Sequence, residues 1–384
     1  MSLTGPLFLG AVGVTTVVAF LAVVAFWPSL AGRGPGRVLG RAALLLTVNV
    51  LVLLTAATLL NAQFLFYADW TDLRGAFAGA PATTVLSRGG AAAQAASVAV
   101  PGESAQAPKL PPTLPTGSSL GSGVISYTVR GPASGMVGKI VVKLPPGYTA
   151  QANASTRYPV IEAFQGYPGS PTTWTNTMNL GGVISGQVAA HGMRQALIVG
   201  PQVEMPAGAD TECVNGTGGN PQLETWLARD VPDWVAKNFR VATDRGSWAT
   251  IGLSAGGWCA AMITMLHPEQ YSAAIVMGGY FRPTFGPFYQ PYPPGSALAD
   301  RYDLVALAKR ARIPVAIWLE TSHADAVSYS SSTAFLKASR APTAVDAIVL
   351  RDAGHRLAVW QGLLPAAMTW LGGNIPGFSP LPRP

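Results

Sequence analysis

Trp248–Ala260 reads WATIGLSAGGWCA, and the reading of this run decides the fold. It contains Gly252-Leu253-Ser254-Ala255-Gly256, a GxSxG pattern. In a chain rich in glycine and serine that pattern arises by chance, so its surroundings must carry the weight. A β-type run, WATIGL, precedes the serine, and a helix-forming run, AGGWCAAMITML, follows it. A sharp strand-to-helix turn holds a serine in a strained backbone conformation and lifts its hydroxyl clear of the sheet. Side chains around it must be small, as Gly252, Ala255, Gly256 and Gly257 are. The turn also aims backbone N–H groups at the helix N-terminus, where negative charge is favoured. A second match, Gly117-Ser118-Ser119-Leu120-Gly121, serves as a control. It sits in a Pro/Ser-rich stretch with no strand before it and no helix after it, and is set aside.

Outward from the serine, short β-rich runs alternate with longer helical ones. Strands are predicted at 158–164, 195–199, 248–253, 273–277, 315–320 and 345–350. Helices are predicted at 222–239, 255–266, 304–310, 331–338 and 357–371, with Pro232 and Pro365 expected to kink or split the first and last. This alternation implies an α/β fold: a mostly parallel sheet flanked by helices. An earlier pair, 126–130 and 139–144, joined by GPASGM, reads as antiparallel strands at one edge.

A serine hydroxyl needs an adjacent base to attack at neutral pH. The chain has four histidines. His191 precedes a strand, and His267 lies at the far end of the helix behind Ser254. His323 and His355 follow later strands. With partners in the order serine, acid, histidine, His355 in RDAGH is the base. The acid that orients it should follow the strand 315–320, in WLETSHADAVSYSSS. Asp325 is the first choice and Glu320 the alternative; Asp352 is too close to His355 in sequence. The oxyanion of a tetrahedral intermediate needs two donors. Ala255 N–H is one, and Tyr167 N–H, in the Gln165-Gly166-Tyr167-Pro168-Gly169 loop after YPVIEAF, is the other.

These residues resemble the esterase D-like branch of the α/β-hydrolase superfamily, which includes the mycobacterial mycolyltransferases. The resemblance runs from about Tyr127 to Leu371. It is densest over ETWLARDVPDWVAKNFRVATDRGSWATIGLSAGGWCAAMITMLHPEQYSAAIVMGG, with its Glu-Thr-aromatic-Leu helix entry, GLSAGG turn and His-Pro pair. It implies an α/β-hydrolase fold and acyl transfer through a serine ester, to water or to a sugar hydroxyl. The family's nucleophile falls on Ser254, its histidine on His355, its oxyanion loop on Gln165-Gly166-Tyr167 and its acid near Asp325. Arg356, after the histidine, departs from the mycolyltransferase pattern. In this fold the loop carrying Cys213 and the helix carrying Cys259 lie near the same edge of adjacent strands. A Cys213–Cys259 disulfide is therefore expected, closing a loop of roughly 45 residues and worth about 3–4 kcal/mol in the chain-entropy model.

Ahead of this domain, 7–27 and 42–66 are uncharged apolar runs, each long enough to cross a hydrocarbon core of about 30 Å. No Lys or Arg precedes the first, which disfavours a signal peptide. The short link between them carries Arg33, Arg37 and Arg41, and short basic loops stay cytoplasmic. The N-terminus and everything after Phe66 are thereby expected outside, with Tyr67 and Trp70 at the interface. The organisation expected is a two-helix transmembrane hairpin over 1–70 and a flexible Ala/Pro/Ser/Gly-rich tether over 71–123. An α/β-hydrolase catalytic domain over 124–376 and a Pro-rich tail over 377–384 complete it.

Of the 384 residues 49% are hydrophobic and 11% charged, an imbalance that sits mostly in the N-terminal runs. The net charge of +7 forms no basic stripe with interleaved aromatics, so nucleic acid is not an expected partner. No Cys/His cluster suggests a metal, and the chemistry needs no cofactor. The expected substrate is a carboxylic ester, of a cell-envelope lipid or acylated glycan. Trp174, Tyr280, Phe281 and Trp360 either line its site or pack the core. The rival readings are a peptidase or thioesterase on the same triad, and a non-catalytic envelope-binding module.

Overall fold

β-Branched and small apolar runs alternating with helical ones build a ten-stranded sheet. The strands are β1 (Thr83–Ser87), β2 (Ser118–Gly121), β3 (Val124–Arg130), β4 (Val137–Lys143), β5 (Val160–Phe164), β6 (Leu197–Pro201), β7 (Trp248–Leu253), β8 (Ala273–Met277), β9 (Ala316–Ser322) and β10 (Ala344–Leu350). They are seen in a computed structural model that describes residues 3–64, 66–67, 69–78, 83–87, 91–101, 113–286 and 289–381. The chain divides into two units. One is Met1–Ala82 with His323–Ala326 and Arg351–Arg356; the other is Thr83–Ser322 with Val327–Leu350 and Leu357–Pro384.

In the second unit the strand order is β1-β10-β9-β8-β7-β5-β6-β4-β3-β2. Strands β5 to β10 run parallel, while β2, β3 and β4 form an antiparallel edge against β6. Every residue of β5, β7, β8 and β9 is buried, as a parallel sheet covered on both faces requires. β6 and β7 lie on opposite sides of β5, so the winding reverses there. The crevice beyond the carboxyl ends of β5 and β7 is where open α/β sheets hold their ligands. The segments that follow those two strands are the Gln165–Gly169 loop and Ser254.

Pro232 does not split its helix in two as expected. Leu223–Thr225 passes through a wide π-type segment, Trp226–Asp230, into Val231–Asn238. Pro232 then falls in the first turn of the last segment, where a missing N–H is tolerated. The final helix, Leu357–Asn374, continues past Pro365 and is not split there. Trp174 and Phe281 are fully buried and Trp360 nearly so, and Phe281 stacks on Phe335 at 3.8 Å; these rings belong to the core.

The stretch read as a tether contributes structure of its own. β1 adds antiparallel to β10 as an edge strand. The short helix Ala91–Ala96 buries Ala92, Ala95 and Ala96. Buried Arg245 donates to the carbonyls of Ala96 (2.7 Å), Val98 (3.0 Å) and Pro314 (2.6 Å), tying this segment to the sheet domain. Residues 79–82, 88–90 and 102–112 of that stretch lie outside the described residues. In the tail, Phe378 is fully buried and its carbonyl accepts from Arg194 N–H at 3.0 Å.

The first unit holds α1 (Pro6–Phe26), α2 (Pro35–Phe64) and α3 (Trp70–Ala78). Both α1 and α2 are long and apolar enough to cross a membrane, with only 11% and 6% of their most apolar windows buried. Thr16 and Thr55 hydroxyls share a hydrogen bond of 2.8 Å between them. α2 starts earlier than the apolar run suggested because Pro35 opens it. Arg37 and Arg41 then reach back to the carbonyls of Ala31 and Gly32, both at 2.9 Å.

Candidate active site

Ser254 sits at φ 55°, ψ −126°, a conformation that L-residues rarely adopt. Its neighbours explain how the chain tolerates it. A Cβ on Gly252 would lie 1.8 Å from Gly256 O, and one on Gly256 would lie 2.2 Å from Phe164 O. Only glycine fits at either position. Ser254 N–H donates to Met277 O at 2.9 Å, and Ser254 O accepts from Gly257 N–H at 2.8 Å. The turn is thus pinned to β8 on one side and to its own helix, α4 (Ala255–Leu266), on the other. The decoy GSSLG run lies in the exposed edge strand β2.

The loop after β5 lies against this turn. A Cβ on Gly166 would meet Leu253 O at 3.1 Å and Ser254 Cβ at 3.2 Å, so the Gly166 backbone lies directly against the serine. Tyr167 is exposed, and its hydroxyl donates to Gly208 O at 3.0 Å. A cleft beside Ala255 is lined by Gln165, Tyr167, Glu204, Asp210 and Glu212. Burial pushes the Asp210 carboxyl up to about 6 and Glu212 well above the usual carboxylate range, with Asp210 adding to the rise at Glu212. Tyr280 O–H donates to Glu212 at 2.5 Å and opposes that rise. Of the two, the buried Glu212 is pushed further towards its protonated form.

Asp325 and His355 meet in the first unit: His355 Nδ1 is 2.9 Å from Asp325 Oδ2, and both side chains are buried. Glu320, the alternative acid, is employed elsewhere. Its Oε2 accepts from Gly278 N–H at 2.9 Å and from Trp360 Nε1–H at 3.1 Å, bracing the turn after β8. His323 is exposed. Sequence reasoning did not find Asp72, on α3, which ion-pairs with Arg356 beside His355 at 2.7 Å.

Two landmarks of the densest motif stretch find each other. His267 Nε2 lies 2.8 Å from Glu224 Oε1, and Tyr302 O–H donates to Glu224 Oε2 at 2.6 Å. Arg301 completes the cluster. Burial alone would raise Glu224, but the bonds from His267, Arg301 and Tyr302 prevail and hold it at about 2. His267 is thus a structural partner at the far end of α4. A Cys213–Cys259 disulfide joins the loop after β6 to α4, with Cα atoms 5.7 Å apart.

The Esterase family model matches residues 134–371. The chain belongs to the Esterase family. An uncharacterized protein of Corynebacterium glutamicum is 30% identical over 37% of this chain and 33% of its own length. The diacylglycerol acyltransferase/mycolyltransferase Ag85B of Mycolicibacterium smegmatis is 31% identical over 23% of this chain and 29% of its own. The chain thus matches about a third or less of these curated relatives. An S-formylglutathione hydrolase from Agrobacterium tumefaciens shares the fold, with a TM-score of 0.56 at 14% identity, over 68% of this chain and 99% of that one. The α/β-hydrolase expectation holds.

Proposed function

We propose that this protein is a membrane-anchored serine esterase or acyltransferase that works on carboxylic esters through an acyl-enzyme on Ser254. The elbow at Ser254 carries the reading. A strained serine between two glycines that admit no side chain, at the switch point of a parallel sheet, is the arrangement acyl transfer needs. Ser254 Oγ attacks the ester carbonyl. The oxyanion forms against the N–H groups of Ala255 and Tyr167, whose loops lie side by side. His355 Nδ1 is committed to Asp325, so Nε2 takes the serine proton and returns it to the leaving alcohol. Water or an acceptor hydroxyl then resolves the acyl-serine.

Chain connectivity supports this assignment. β7, β8, β9 and β10 are parallel neighbours, so their carboxyl ends share one edge. Asp325 follows the end of β9 by three residues and His355 the end of β10 by five. Strands are about 4.8 Å apart and extended chain covers about 3.3 Å per residue, so both loops are long enough to reach a serine two or three strands away.

Membrane attachment is through α1 and α2, and the basic turn between them puts the catalytic domain outside the cytoplasm. The disulfide accords with an oxidising compartment. The likeness to a mycolyltransferase favours a lipid or acylated-glycan ester. A panel of p-nitrophenyl esters, thioesters and anilides tests the reaction class. Ester turnover that vanishes in Ser254→Ala supports the proposal; anilide turnover alone would favour a peptidase, and no turnover of any class would favour a binding module.

A further inference from the structure

The loop that carries His355 is held on both sides by one short stretch of chain immediately after the second apolar helix. On the N-terminal side, a Cβ on Gly354 would lie 2.5 Å from Phe66 O and 2.6 Å from Asp72 Oδ2, so backbone packs on backbone with no room for a side chain. On the C-terminal side, Arg356 Nη1 donates to both carboxylate oxygens of Asp72 at 2.7 Å and to Phe66 O at 3.1 Å. The guanidinium also lies over the Tyr67 ring, 5.0 Å from its centroid. Asp72 is 2% exposed, so the pair is shielded from water and salt.

The holding residues are tied down by bonds of their own. Asn61, in the last turn of α2, donates through Nδ2 to Tyr67 O at 2.9 Å and accepts from Tyr67 N–H at 2.8 Å. Asp69 caps α3, its Oδ1 accepting from the N–H groups of Thr71 and Asp72 at 2.8 Å. Trp70 packs edge-on against Phe8 of α1 at 5.3 Å. A chain of contacts therefore runs from α1 and α2 through Phe66, Tyr67 and Asp69–Asp72 to the residues flanking His355.

We propose that Asp72 and Arg356 are positioning residues for the catalytic histidine, and that the juxtamembrane segment 66–72 is a working part of the active site. This rests on His355 being the general base. A tether that merely attached the domain would leave the histidine loop alone. Here the segment fixes the residues on either side of the imidazole, while Asp325 fixes the ring. An ester of the membrane or envelope would then be met by a base whose geometry depends on the anchor being folded.

Full-length protein in detergent micelles, assayed on p-nitrophenyl butyrate, decides it. Asp72→Asn keeps the shape and removes the charge that orients Arg356. Displacing a catalytic group by about 1 Å costs about 10²-fold in rate. The expected result is a kcat lowered between tenfold and a hundredfold with KM within twofold of wild type and the melting midpoint retained. Gly354→Ala, which alters no charge, should lower kcat in the same way, and it decides the matter should Asp72→Asn fail to fold. The Asp72→Asn/Arg356→Gln pair should lose no more than Arg356→Gln alone, because the two act as one unit. Wild-type kcat in Asp72→Asn and Gly354→Ala overturns the inference, as does a loss confined to KM. Activity that survives in His355→Ala would instead remove the reading on which the inference stands.

Discussion

Substituting Gly252 by alanine tests the elbow with a single methyl group. Its Cβ would stand 1.8 Å from Gly256 O, 2.2 Å from Gly256 C and 2.7 Å from Gly257 N, all backbone atoms. Relief to about 3.0 Å moves the Gly256 carbonyl by about 1.2 Å, and no flexible side chain can absorb it. Overpacking of this kind costs about 1–3 kcal/mol, and contact with backbone places it at the upper end. At about 2–4 °C per kcal/mol for a domain this size, the melting midpoint falls by about 6–12 °C. The same shift carries Ser254 and Ala255 N–H out of register, which predicts a loss of about 10²-fold in kcat on a p-nitrophenyl ester. Gly186 is the internal control: it lies in the helix Leu180–Ala189 with nothing within 4 Å of an added Cβ. Gly186→Ala should leave kcat unchanged and stabilise by about 0.5–1 kcal/mol. Wild-type kcat and melting in Gly252→Ala would refute the steric account of the elbow.

Other outcomes follow from buried charges and the cross-link. Burial pushes the Glu162 carboxyl up to about 8, against the hydrogen bond from Tyr271 O–H at 2.5 Å. The folded state then keeps a proton that the unfolded chain releases near its ordinary value of 4.5, so stability falls as pH rises from there to about 8. Urea midpoints should show that slope, up to about 1.4 kcal/mol per pH unit, in wild type and not in Glu162→Gln; equal slopes would count against it. Glu224 has the opposite sign: its folded value of about 2 stabilises above 4.5, and that gain is lost as pH falls towards 2. Glu224→Gln should cost about 3 kcal/mol at pH 7 with the gap to wild type narrowing in acid; a gap constant with pH would contradict this. The disulfide closes a span of 46 residues, so dithiothreitol should lower stability by about 4 kcal/mol, read as an earlier thermal transition. An unshifted transition in fully reduced protein would reject that figure.

The elbow was legible because its cause is local. Gly252 and Gly256 exclude side chains within a five-residue window, and the flanking strand and helix announce themselves by composition. The parallel core was legible for the same reason, through unbroken apolar runs such as AAIVM in β8. What escaped depends on partners remote in sequence. Nothing in TTVLS says that it pairs with Ala344–Leu350, since an edge strand takes its order from the neighbour. Asp72 and Arg356 are 284 residues apart, so Arg356 read only as a departure from a pattern until its partner was seen. Position along the chain left Asp325 and Glu320 both open. In the structure Glu320 accepts from Gly278 and Trp360, while Asp325 faces His355 Nδ1, contacts that position along the chain does not reveal. Pro232 misled because the wide turn before it leaves the proline in the first turn of the next helical segment, where its missing N–H is tolerated.

The most direct test of Ser254 as nucleophile is to treat the full-length protein with a fluorophosphonate and locate the adduct by peptide mass spectrometry. The account predicts stoichiometric phosphonylation of the peptide containing Ser254, abolished in Ser254→Ala and slowed by orders of magnitude in His355→Ala. An adduct on another serine, or labelling of Ser254→Ala at the wild-type rate, would contradict it.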